Sequence, residues 1–267
     1  MYFFTVIFLL FFSFLFPSMA KAQLFLEEGK VALAVTAGER INKSMTVSNT
    51  SDKEVHFKVY WEDFQYQAPY DGSKKFFPAG VGPFSASQWI NYSPQEVTLP
   101  AYGKQKIDYS INVPSSIEGG YYGVLFFEQI GAALKSSTGL DVVTRVGALF
   151  FIEPKGISRN ASLENIVIKG PNVSGEFVNK AKVTLIPRMV YYIMEEGGMV
   201  KNRGELKKIY VPAGATASWE MPVPTDLNPG RYSIVMNMDL EEQNVVTKEI
   251  YLVKDSSGQV VIEKSQD

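Results

Sequence analysis

The side chains that carry most protein chemistry are scarce in these 267 residues: there is no cysteine, and His56 is the single histidine. Thiolate nucleophiles, disulfides and thiolate metal sites are excluded. A histidine-based triad or a multi-histidine zinc site lacks its raw material. Carboxylates remain as acid–base candidates, but the pairs Glu27, Glu28 and Glu241, Glu242 are sequence neighbours. Glycoside hydrolysis needs two carboxyls held apart across a cleft, so these pairs read as solvated charge. His56 stands in an alternating apolar run and reads as a surface strand residue. No nucleophile elbow, zincin motif, phosphate loop or EF-hand pattern occurs. The chain is therefore expected to be no enzyme, with no metal and no cofactor.

The remaining chemistry is that of binding. Arg145 is an isolated cation in the mostly apolar run 140–152. A guanidinium can grip a carboxylate with two parallel hydrogen bonds, so Arg145 could clamp a partner's carboxylate. It could equally be a solvent-facing strand arginine or the partner of a nearby acid such as Glu128. In the same run Leu140, Val142, Val146, Ala148, Phe150 and Ile152 share one face, with Thr144 as the polar member. That row suits a strand lent to a partner, and it suits a domain's own core face just as well. The aromatics Phe64, Tyr66, Tyr70, Phe76 and Phe77 lie in a turn-rich stretch. They read either as a contact surface or as rings folded onto their own sheet.

These residues must be positioned by strands. Residues 2–16 form an uncharged apolar run closed by Pro17, and Ala20, Lys21 and Ala22 make a small-x-small cleavage triplet. Residues 1–22 are expected to be a secretory signal peptide, and no later segment is apolar enough to span a membrane. A formal net charge of −2 leaves no basic footprint for nucleic acid. Beyond the leader, short β-branched and aromatic runs alternate with Gly, Pro, Asn and Ser at the spacing of a β-sandwich. Strands are expected at 31–35, 44–48, 55–61, 97–99, 105–113, 119–128 and 140–152. Residues 62–88 read as a long loop or edge hairpin. Pro154, Lys155 and Gly156 break the pattern. Eight further strand candidates follow between 163 and 253, and residues 255–267 read as a polar tail.

The two halves look like copies of one fold. Leu99, Pro100, Val113, Pro114 and Tyr122 are echoed by Val211, Pro212, Val223, Pro224 and Tyr232, with eight residues from the second proline to the tyrosine in both. Proline belongs at strand ends because it cannot donate to a ladder. A Gly-x-Tyr opening a strand fits a tyrosine corner, whose hydroxyl bonds back to upstream backbone. The expected architecture is all-β: two tandem immunoglobulin-like sandwiches at 23–154 and 155–254.

With a leader ahead of them, the motifs at 44–49, 89–94, 97–100, 113–122 and 140–154 resemble the periplasmic pilus-assembly chaperones, of which this chain would be a divergent member. The resemblance implies a periplasmic or cell-envelope protein that binds an extended segment of an exported protein or pilus-like subunit by β-strand addition. It points to Arg145, Val142, Val146, Ala148 and Phe150 as partner-binding residues. In that family a first-strand arginine and a last-strand lysine anchor the subunit's terminal carboxylate. Here residues 31–35 contain no arginine, and the nearest basic groups are Lys30 and Arg40. The alternative is a structural envelope or surface interaction module without chaperone activity. A carbohydrate-binding module is a third reading and would need Trp61 and Trp89 on an exposed platform.

Overall fold

The computed structural model describes residues 24–130, 134–135, 141–142, 144–241 and 244–266. The expected leader, Leu140 and Glu242 lie outside them. Among the described residues there is no helix, and so none long and apolar enough to cross a membrane.

The first sandwich packs a four-stranded sheet on a six-stranded one. The smaller has the order β1 (Leu24–Leu26), β3 (Arg40–Asn49), β8 (Lys104–Asn112), β6 (Ile90–Ser93). The larger runs β2 (Lys30–Val35), β12 (Arg145–Pro154), β9 (Tyr121–Gln129), β4 (Val55–Tyr66), β5 (Lys74–Pro78), with β7 (Glu96–Leu99) paired to the start of β4. The pair β2 and β12 is parallel and brings the two ends of this unit together. A small hairpin, β10 (Leu134–Lys135) with β11 (Asp141–Val142), precedes β12. The run 140–152, read above as one strand, is thus broken: Val142 pairs within the hairpin, and β12 begins only at Arg145.

The second sandwich repeats the plan. Its sheets are β13 (Ala161–Lys169), β14 (Asn172–Asn179), β17 (Thr216–Pro222), and β16 (Val200–Glu205), β15 (Arg188–Glu195), β18 (Gly230–Asp239), β19 (Val245–Lys254), β20 (Val260–Gln266). Strand β20 corrects the expectation of a polar tail, since it pairs with β19 from Val260 to Gln266. Asp255 makes the reversal: its Oδ1 accepts the N–H groups of Ser257 and Gln259, and Gly258 takes φ 87°. Only Val260 and Ile262 pack on the core from this strand, so its composition stays polar.

Alternation in β4 places Val55, Phe57, Val59 and Trp61 in the first core, as the period of two requires. Trp61 sits over Gly123 of β9, where an added Cβ would lie 1.8 Å from indole Cζ2. Only glycine lets the ring lie this close to the neighbouring strand. With Trp61 buried and Trp89 against Tyr121 at 4.2 Å, the carbohydrate-platform reading has no exposed tryptophan pair to rest on.

Both units carry the same polar staple, which the sequence reading missed. Asn49 Nδ2 donates to the carbonyls of Lys53 and Pro100, and Ser51 N–H donates to its Oδ1. In the second unit Asn179 Nδ2 donates to Val183 and Pro212, and Ala181 N–H donates back. Both asparagines are 2% exposed or less. Removing either amide strands several buried backbone groups. Asn179→Ala is expected to destabilise its domain by about 2–4 kcal/mol in urea unfolding. An unchanged midpoint would show that solvent can replace the staple.

Candidate functional site

Strand β12 carries the residues singled out from the sequence. Ala148 and Phe150 are fully buried in the first domain's own core, and Val146 packs against it. Val146, Ala148, Phe150 and Ile152 of the apolar row therefore belong to the inner face of this sandwich. What β12 leaves open is backbone. Pairing with β2 begins only at Leu149, opposite Lys30, whereas β9 pairs with β12 from Arg145 onward. Residues 145–148 thus have a strand neighbour on one side alone among the described residues.

Arg145 points to the opposite face, where it is engaged. Its Nη1 donates to the Tyr60 hydroxyl at 3.2 Å and lies 3.3 Å from Glu62 Oε1, and the guanidinium stacks 3.8 Å from the Phe126 ring centre. Glu128, its register partner on β9, is bound instead by Lys58 at 2.9 Å and by the Tyr60 hydroxyl. These hydrogen bonds, Tyr60 first and Lys58 second, hold the Glu128 carboxyl below its ordinary value. Arg145 is tied into the sheet's own polar cluster, and Val142 lies away on β11. His56 is exposed with Nδ1 2.8 Å from Thr98 Oγ1, a surface strand pair as expected.

The outer face of β4 changes character along its length. His56 is exposed, Lys58, Tyr60 and Glu62 are half-buried, and Phe64 and Tyr66 are buried. The last two join Tyr122, Val124, Phe126 and Phe151 in an aromatic cluster that Ile186 and Tyr210 of the second domain help cover. Tyr66 stacks on Tyr210 at 4.8 Å, and the Tyr210 N–H donates to the Tyr70 carbonyl at 2.8 Å. Phe76 packs edge-on against Phe126, and Lys75 lies over Phe77. The stretch divides between the two readings: Phe64 and Phe76 fold onto their own sheet against Tyr122, Phe151 and Phe126, whereas Tyr66 and Tyr70 meet Tyr210 of the second domain.

Tyr122 departs from the expected tyrosine corner. In the second unit the Tyr232 hydroxyl does donate to the Asn228 carbonyl at 2.8 Å. In the first, the Tyr122 hydroxyl crosses the junction, accepting the Thr184 N–H at 2.7 Å and donating to Glu153 Oε1 at 3.4 Å. Burial pushes the phenol up, with the Glu153 charge adding to it.

Beside this contact lies a cleft of about 210 Å³ lined by Lys30, Phe151, Glu153, Arg159, Thr184 and Glu241 among others. Lys30 Nζ sits 4.7 Å above the Phe151 ring. Arg159 Nη2 is 2.7 Å from Glu153 Oε2 and 4.0 Å from Glu241 Oε2. Glu241, read from sequence as plain solvated charge, therefore faces a cation. Burial raises the Glu153 carboxyl above its ordinary value, only partly opposed by Arg159. A raised acid binds more protons folded than unfolded, so its ionisation lowers stability as pH rises through the folded value. Relative to Glu153→Gln, the native chain is expected to lose stability as the pH rises above about 4, the ordinary glutamate range, toward its raised folded value. Urea midpoints across that range check this, and a difference that grows the other way refutes it. Among the described residues no cluster of His, Asp or Glu could hold a metal ion.

The fold these elements define is the two-domain immunoglobulin-like fold of the fimbrial chaperones. The class 5 fimbriae chaperone CfaA is 15% identical over 84% of this chain and 97% of its own, with a TM-score of 0.51. A structure of a chaperone–tip adhesin complex of CFA/I fimbriae biogenesis matches at 16% identity over 85% and 97%, also with a TM-score of 0.51. No protein-family profile and no curated protein matches the chain.

Proposed function

We propose that this chain is an exported, non-enzymatic, chaperone-like protein of the periplasm or cell envelope. It would hold an extended segment of another secreted or surface protein by strand addition. The observation that supports this most is the open backbone of β12 at residues 145–148, in a fold shared with fimbrial chaperones. An added strand there would use unpaired N–H and C=O groups for affinity. Because Val146, Ala148 and Phe150 face inward, selectivity would come from the partner's side chains. Lys30, beside the point where the margin closes, supplies a cation, and residues 23–154 form the binding unit. The rival, an envelope module without chaperone activity, is favoured by Arg145 and Arg159 already facing their own carboxylates.

Hydrogen exchange on the chain purified from its native envelope with whatever protein accompanies it tests the reading. At least tenfold added protection is expected at the amides of 145–148. A complex that protects other residues only, or a chain that neither retains a companion nor slows aggregation of an exported protein, favours the rival.

A further inference from the structure

The second domain has an open sheet margin of its own, and it is flanked by a groove. Strand β17 ends the sheet β13–β14–β17, and no strand covers its outer side among the described residues. Next to it runs the segment leaving β16, residues 205–209. Between the two lies a groove of about 550 Å³, with residues 218–222 along one wall and 205–209 along the other. Five strand residues at about 3.3 Å each give a wall of roughly 16 Å. Buried Trp219, Tyr191 and Ile209 contribute to the lining, so the groove is apolar below its rim. Residues 216–221 include no proline, lysine or arginine, the usual guards of an exposed margin, and Pro222 stands only at the strand's last position.

The rim carries a definite charge. Glu205 is gripped by Arg188 through Nε at 3.1 Å and Nη2 at 3.0 Å, and Glu220 lies 3.4 Å from Lys169. Asp71, reaching the groove from the β4–β5 turn, accepts the Ser73 N–H. Lys207 and Lys208 are exposed; Lys208 Nζ lies 5.9 Å from the Tyr210 ring centre and its charge acts on Glu205 from beyond ion-pair distance. With Glu205 and Glu220 matched by Arg188 and Lys169, the two lysines face one unmatched carboxylate, Asp71, and leave the rim a single positive charge in excess.

We propose that this groove takes an extended acidic segment of a partner protein as an added strand on β17. Alternate carboxylates would meet Lys207 and Lys208, and the intervening apolar side chains would face Trp219, Tyr191 and Ile209. This site is separate from the β12 margin, and its proposal stands whether or not that margin binds a partner.

The probe is a fluorescein-labelled peptide Thr-Val-Glu-Val-Glu-Val-Thr, with Thr-Val-Lys-Val-Lys-Val-Thr as its counterpart, titrated by anisotropy. The acidic peptide is expected to bind at least tenfold more tightly than the basic one. Lys207→Glu combined with Lys208→Glu should remove that preference, while Arg145→Ala leaves it intact. Hydrogen exchange with the acidic peptide bound should protect amides within 217–221. Equal binding of both peptides, indifference to the double reversal, or protection at 145–148 instead would each overturn the proposal.

Discussion

Replacing Asp63 by alanine is expected to lower the unfolding free energy of the first domain by about 3–5 kcal/mol. The carboxylate is 1% exposed and has no cation among its hydrogen-bond partners. Its Oδ2 accepts the N–H groups of Gly80 and Gly82 at 2.8 and 3.0 Å. Its Oδ1 accepts the Ser85 hydroxyl at 2.8 Å and the Trp61 indole N–H at 3.0 Å. Four donors converge on one anion, so its removal strands all of them at once, two of them backbone groups of a single loop. Asp63→Asn should recover part of the loss, about 1–2 kcal/mol, because the amide keeps one oxygen but turns N–H toward donors. Urea unfolding gives the free energies, and limited proteolysis should show cleavage within 79–87 before global unfolding. An alanine variant as stable as the native chain would mean that water satisfies the four donors.

Asp63 also marks how far the sequence could be read. The strand was expected to end at Trp61, with residues 62–88 a loop or edge hairpin; because β4 instead runs on to Tyr66, Asp63 continues the inward series Val55, Phe57, Val59 and Trp61. A lone inward acid implies buried donors, but three of the four come from a loop 17 to 22 residues away, and only the Trp61 indole is local. The period of two located the strands and their core faces. It could not show that the outer face of β4 becomes buried at Phe64 and Tyr66, because the cover comes from Ile186 and Tyr210, more than a hundred residues on. The same limit left the β12 row ambiguous: a lent strand and a core strand share one alternation, and only the place where β2 stops pairing separates backbone from side chains. Asn49 and Asn179 had a usable signal, each an asparagine at a strand end in step with a Leu-Pro or Val-Pro that the repeat comparison had aligned. The strand at 260–266 was hidden because only one of its faces is apolar, and that face is short.

The junction carries the second large effect. Tyr122→Ala is expected to cost about 3–5 kcal/mol, since it removes a buried ring and leaves the Thr184 N–H without an acceptor. The ring packs against Phe64 and Phe151 at 6.1 and 5.5 Å, so the loss reaches through the cluster shared by both domains. Two sandwiches with separate cores unfold independently unless their contact couples them. Here the coupling rests on the aromatic cluster, the Tyr66 and Tyr210 stack, and the Tyr122 hydroxyl. Calorimetry of the native chain should give one transition, and Tyr122→Ala combined with Tyr66→Ala should give two. Tyr122→Phe separates the contributions: it keeps the ring, loses the hydroxyl, and should cost about 1–3 kcal/mol while retaining one transition. If the double variant melts in a single lowered transition, the domains are coupled elsewhere, and the backbone bond from Gly120 N–H to the Lys182 carbonyl becomes the next place to look. The orientation matters for binding as well as stability, because Lys30 and Arg159 line one cleft only while this junction holds the second domain against β2 and β12.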